Sequence, residues 1–336
     1  MIGQGPIFSN LRARMLTAIP DTAVASFRSQ QTIGDWLQNG AFIATACTKK
    51  EVILEVGPAD YASATLTECE NLLNHCLEHL QEMVCARNDT RLRSQAWAIV
   101  TSYYFGFFSA SAFLRLIGHP IVFLTAEQLK RLQALASATV RPGQGAFRFE
   151  ITRQISVTRT EVAIRHTDKV HEATWKAALG ILDQLNHDPL LVKSPAEALL
   201  YDSLCTHILF PNYDSFQWPS MVRNRANYRP GFMYQLHNPP FNFPKLFEAW
   251  RGASASDVNQ ILQACLSRCG ANRNDFLHHS DLMLNVATTL FLLTRELYAE
   301  LVARRRIDRR WEDQRAQYVT RMKVPEHQYE TIFATA

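Results

Sequence analysis

The segment Arg273-Asn274-Asp275-Phe276-Leu277-His278 combines residue types that could do chemistry. A guanidinium stays charged and grips a phosphate bidentately, while an imidazole exchanges its proton near neutral pH. With one small polar residue and three spacers between them, the two groups fall within about one turn of a helix. That pairing suits cleavage of a phosphodiester, which needs charge stabilisation and proton transfer. Spacing alone weighs little: 27 arginines and 11 histidines among 336 residues yield about one such pair by chance. Context weighs more. His279, Ser280 and an apolar run with Leu282, Val286, Leu290, Leu293 and Leu297 at helical spacing follow at once. The segment therefore sits at a helix N-terminus, where unpaired backbone N–H groups favour an anion. The same residues also fit a plain helix entry, with Asn274 or Asp275 as cap and Arg273 in a surface ion pair.

Two other basic segments are candidates for nucleic-acid contact. Arg223, Arg225, Tyr228 and Arg229 lie in Arg223-Asn-Arg-Ala-Asn-Tyr-Arg229-Pro230, where arginines could meet phosphates and the tyrosine could stack on a base. The competing assignment is a loop whose guanidinium planes pack on Trp218 and Phe232. Arg305, Arg306, Arg309 and Arg310 belong to a C-terminal run continued by Arg315 and Arg321 and interleaved with Trp311 and Tyr318. That run fits a strand-facing helix, and equally a solvated helix end whose cations complement the dipole. No Walker loop, Gly-x-Ser-x-Gly elbow or His-Glu-x-x-His helix occurs. Arg141-Pro-Gly-Gln-Gly145 lacks the lysine a phosphate loop needs. His75, His79, His166 and His171 are scattered without a carboxylate grid, so neither a metal site nor a cofactor is expected.

Composition bounds the setting. Hydrophobic residues make up 47% of the chain, enough for a large core, and the net charge is only +4. Of the 35 basic residues, 27 are arginine, the cation suited to planar contact with phosphate or carboxylate, though codon composition alone can produce that bias. Seven cysteines, an odd number without a Cys-x-x-Cys pair, argue against a disulfide framework or zinc ribbon. The opening Met-Ile-Gly-Gln-Gly-Pro lacks the pattern of a secretory signal, and no apolar run is long enough to span a membrane. A cytoplasmic protein without a membrane partner is expected.

The elements that must position these residues are mostly helical. Two short helices over 8–38 break near Pro20, and strands at 41–47 and 51–56 flank a polar turn. Leu66, Cys69, Leu72, Leu73, Cys76, Leu77 and Leu80 predict a long helix over 59–86 with one buried face. A second helix, from about 90 to 117, is apolar nearly all round and belongs inside a bundle. Residues 121–190 read as an insertion: a helix at 126–138, two or three short strands from the alternation of Phe147, Phe149, Ile151, Val162 and Ile164, and a helix near 170–185. Ser194-Pro195 opens another helix, 254–268 a further one, and the last starts at 274–280. The expected fold is mainly α, a helical bundle with a small N-terminal β-hairpin and a short β-meander insertion. The expected organisation is N-terminal helices and hairpin at 1–57, first half of the bundle at 58–120, α/β insertion at 121–190, and second half with a basic C-terminal helix at 191–336.

Three stretches resemble the HEPN superfamily of helical proteins: the helix at 59–86, the aromatic helix Trp97–Gly118, and Arg273-Asn-Asp-Phe-Leu-His278 ahead of the last helix. About 130 residues are covered. The resemblance implies a metal-independent endoribonuclease of a prokaryotic antiviral defence or toxin–antitoxin system. In that role Arg273 binds the scissile phosphate, His278 acts as acid or base on the 2′-hydroxyl and leaving oxygen, and Asn274 orients them. It also implies a homodimer, or a subunit of a multi-protein defence complex, that meets RNA or another nucleic acid. Arg223–Tyr228 resembles a degenerate arginine-to-tyrosine form of the motif, which implies instead a non-catalytic subunit that scaffolds a complex or binds nucleic acid.

Overall fold

The computed structural model describes residues 5–28, 31–48, 50–88, 95–135, 143–167, 169–195, 197–198, 201–202, 205, 216–228 and 276–321. In chain order the elements are α1 (Pro6–Ala18), α2 (Ile33–Asn39), β1 (Phe42–Cys47), β2 (Glu51–Val56), α3 (Pro58–Asn88), α4 (Gln95–Leu116) and β3 (Ile121–Leu124). They continue with α5 (Ala126–Leu135), β4 (Gly145–Ser156), β5 (Arg159–His166), α6 (Val170–Asn186), α7 (Trp218–Tyr228), α8 (Phe276–Ala303) and α9 (Arg309–Arg321).

Local chemistry sets several of these boundaries. Pro6 occupies the first turn of α1, where its missing N–H costs nothing, and the buried Glu197 carboxylate accepts from Ile7 N at 3.0 Å. Thr32 and Asp35 form a reciprocal capping box that starts α2. In the turn between β1 and β2, the Thr48 hydroxyl accepts from Glu51 N at 3.0 Å.

The aromatic helix α4 is the axis of the larger core. Phe105, Phe113 and Leu114 are fully buried, and α3, α6, α7 and α8 pack around it. Each such side chain contributes roughly 1.5–3 kcal/mol of burial. Gly106 permits the closest approach: a Cβ there would lie 2.8 Å from Ala287 Cβ of α8 and 2.9 Å from the Trp175 ring of α6. Contacts between α4 and α8 advance in the same direction, from Gly106 against Ala287 to the Ser109 carbonyl, which accepts from the Thr294 hydroxyl at 3.4 Å. Both helices therefore begin at the same end of the bundle. Arg12 joins α1 to α8 through Glu300 at 2.5 Å.

The second core lies under a sheet. Its order is β1-β2-β5-β4-β3, every neighbouring pair antiparallel. Leu54 is paired with Val162, and Val52 and Phe149 with Ile164, so one face is continuous and apolar. Trp36 and Leu37 of α2, Leu129 and Leu132 of α5, and Tyr61 and Ala64 of α3 cover it. The opposite face is ionic: Arg165 meets Glu51 and, at 2.7 Å, Glu150, while Arg159 meets Glu55 at 2.6 Å. Helix α3 spans both cores, with Tyr61 under the sheet and Leu66 to Leu80 in the bundle.

This architecture corrects the expected mainly α bundle. The fold mixes helices with a five-stranded antiparallel sheet. The hairpin at 42–56 is not separate from the meander: β1 forms the edge of the sheet, and β2 pairs along its whole length with β5, more than 100 residues later. The meander is likewise part of that sheet. Strand β3 was not expected at all: four residues after a Gly-His-Pro break are too short for alternation to register. Among the described residues, no helix is long and apolar enough to cross a membrane.

Candidate functional site

The residues that could act on a ligand come from three helices. Helix α7 buries Trp218, Val222 and Ala226 on one face, which directs Ser220 and Arg223 toward α4 and α6. Tyr103 projects from α4 into the same space, and His171 from the first turn of α6. The Tyr103 hydroxyl lies 2.9 Å from His171 Nδ1 and 3.1 Å from Ser220 Oγ. The Arg223 guanidinium stands 5.1 Å from the Tyr103 ring centroid. The Phe107 ring packs against the imidazole at a 32° tilt, with centroids 4.1 Å apart. Tyr103 and Ser220 are buried, whereas His171 and Arg223 are half-buried and form the solvent side of the cluster.

The electrostatics are those of a cationic site with a neutral imidazole. Burial, reinforced by the Arg223 charge, pulls the His171 pKa down to about 4. Burial also pushes the Tyr103 phenol upward, against its hydrogen bond with Ser220. At pH 7 the cluster thus holds one permanent positive charge, two neutral hydroxyls and an uncharged ring. Such a set can bind an oxyanion. Among the described residues, no group of three His, Cys, Asp or Glu side chains could hold a metal ion.

The other candidates are placed as follows. Arg273, Asn274 and Arg229 lie outside the described residues, as does the side chain of His278. The backbone of His278 falls in the first turn of α8. Arg225 is half-buried on α7, and Tyr228 at its end is 73% exposed, available for stacking. Of the C-terminal run, Arg305, Arg309 and Arg310 are exposed. Arg306 pairs with Asp21 at 3.0 Å, and Arg309 sits 3.8 Å from Asp313. Arg315 is not on a strand-facing surface: it is buried against Glu70. The run is therefore divided between structural ties and solvent.

His171, Tyr103 and Ser220 were not among the expected site residues. His171 reads as one of several scattered histidines, and Tyr103 as a core aromatic. The pair is 68 positions apart, so no spacing signal links them. A second aromatic surface lies along α3 and α4, where His79 stacks on both Tyr104 and Phe108, and Trp97 is 67% exposed. No family model, curated protein or solved structure matches this chain.

Proposed function

We propose that this protein acts on RNA as a metal-independent endoribonuclease-type effector, with the HEPN-like helices as its working part. In this reading Arg273 binds the scissile phosphate, His278 moves the protons of the 2′-hydroxyl and leaving oxygen, and Asn274 orients them. Arg223, Arg225 and Tyr228 hold the strand nearby. The observation that carries it is the start of α8. His278 lies in the first described turn of that helix, at the end of the bundle where α4 also begins, which supports the reading for the motif it belongs to. A helix N-terminus in general favours a bound phosphate.

A second reading, a non-catalytic subunit that scaffolds a defence complex, is favoured by the exposure of Trp97 and Tyr228, large rings suited to a partner surface. Incubation of purified protein with mixed RNA in EDTA separates the two. Cleavage by the wild type that is lost in His278→Ala supports the nuclease. Intact RNA with both proteins, together with retained RNA binding, refutes cleavage and leaves the scaffold.

A further inference from the structure

Among the described residues, the fully buried arginines are matched by carboxylates. Arg115 contacts Glu68 at 2.6 Å, Arg295 contacts Glu296 at 2.5 Å, and Arg315 contacts Glu70. Each pairing meets the rule that a desolvated charge needs a counter-charge. The half-buried Arg223 is held differently. Among the described residues no carboxylate pairs with it, and its Nε is buried without a hydrogen-bond partner. What faces it instead are the Tyr103 ring and His171, and Arg223 is the charged group that depresses the imidazole. A half-buried guanidinium that reaches the Tyr103 oxygen but leaves its Nε without a partner has donors to spare for an acceptor that arrives from outside.

The hydrogen-bond order within the cluster supports the same conclusion. A neutral imidazole whose Nδ1 accepts from the Tyr103 hydroxyl must carry its proton on Nε2. The Tyr103 oxygen then accepts from the Ser220 hydroxyl, 3.1 Å away. In that order the chain runs from Ser220 through Tyr103 to His171 and leaves an Nε2–H donor on the half-buried imidazole. Phe107 packs closely against the ring.

We propose that Arg223 and His171 form a binding site for a phosphate-type oxyanion, with Tyr103 and Ser220 as positioning residues that hold the imidazole in its Nε2–H form. Arg223 supplies the charge and the bidentate fork, and His171 supplies a second, neutral donor. The ligand is the phosphate of a mononucleotide or one phosphate of an RNA strand; only the second source rests on the proposed action on RNA.

The test uses the full chain with isotope-labelled histidine, following the His171 ring signals, assigned by their loss in His171→Gln. The probes are inorganic phosphate, adenosine monophosphate and a short single-stranded RNA. A saturable His171 shift with phosphate or the mononucleotide identifies a free-phosphate site, and a shift with RNA alone identifies a strand phosphate. No His171 shift with any of the three overturns the site. Arg223→Met is expected to weaken the effective probe by about ten- to a hundredfold, with Arg223→Lys in between. An undiminished affinity in folded Arg223→Met also overturns it. Tyr103→Phe reads the positioning role: the ring nitrogen signals should leave the Nε2–H pattern, which a merely structural tyrosine would not alter. An His171 shift without RNA cleavage keeps the site and rejects the nuclease, whereas cleavage without the shift does the reverse.

Discussion

Replacing Arg315 by methionine should destabilise the protein by about 3–5 kcal/mol, the cost of leaving a buried carboxylate without its cation. Glu70 on α3 is fully buried, and Arg315 on α9 is 3% exposed. Their direct contact is supported by Tyr298 of α8, which accepts from Arg315 Nη1 at 2.8 Å and donates to Glu70 Oε2 at 3.3 Å. Asn74 accepts from Arg315 Nε at 3.3 Å, so the guanidinium joins three helices. Glu70 Oε1 has no partner. Burial pushes the Glu70 carboxyl upward against the pull of Arg315 and Tyr298, and its second oxygen gains nothing in return. Arg315 also lines a 160 Å³ cavity with Asn74, Leu77, Glu78, Gln314 and Tyr318. Water entering there softens the loss, so the lower end of the range, about 3 kcal/mol, is the better figure.

The discriminating experiment is a double-mutant cycle in urea, with Glu70→Met, Arg315→Met and the pair combined. Each single variant strands a charge, whereas the double variant replaces both with apolar volume. It should recover to within about 1–2 kcal/mol of the wild type, which implies a coupling of roughly 2 kcal/mol or more. The slope m should stay constant if only stability changes. In Arg315→Met the loss should also shrink as pH falls. A buried carboxyl with a raised pKa binds a proton in the folded state first, and the protonated form carries no stranded charge. Singles that add without coupling, or a loss independent of pH, would refute the reasoning.

Gly106→Ala should cost about 1–2 kcal/mol in urea denaturation despite a helix-propensity gain of about 1 kcal/mol, because the new methyl meets Ala287 and Trp175; the added change Ala287→Gly should restore part of it. Arg305 ends α8 at φ 56, with Arg305 N bonded to Val302 O and Arg306 N to Leu301 O. Arg305→Gly should therefore stabilise by about 1 kcal/mol, seen as a raised Tm. Burial, with an arginine charge added, holds His119 and His171 at about 4. The unfolded chain binds more protons between pH 6.5 and about 4, so stability should fall as pH drops through that window. Discounted for partial exposure, the loss is about 1–2 kcal/mol for each ring; a flat urea midpoint over that range would contradict it.

The helices were legible where their apolar spacing was. The leucines and cysteines from Leu66 to Leu80 mark the buried face of α3, and the all-round aromatic character of α4 marks its central place. The alternation of Val52, Leu54 and Val56 marks a strand but cannot name its partner. Pairing with Val162 and Ile164 satisfies a face that looks the same in an isolated hairpin. Arg315 was misread for a related reason. Trp311, Arg315 and Tyr318 share one face of α9, so the arginine sits where that face packs and its stem is buried. Charge counting placed it with exposed Arg309 and Arg310, and only Glu70, 245 positions away, reveals the difference.

The sheet that overturned the expected fold also positions the candidate site. Strand β5 leads into α6 within four residues, and the junction is fixed by His166 N to Lys50 O at 3.1 Å and Thr167 N to Ala146 O at 2.9 Å. His171 is the second residue of α6. Its height against Tyr103 is therefore set at one end by the β2–β5–β4 ladder and at the other by Trp175, Leu179 and Leu182 in the bundle core. A shift of about one residue in that ladder would move the imidazole by over 3 Å, beyond reach of the Tyr103 hydroxyl. The two cores thus meet functionally at the start of α6: the bundle supplies Tyr103 and Arg223, and the sheet decides whether His171 can join them.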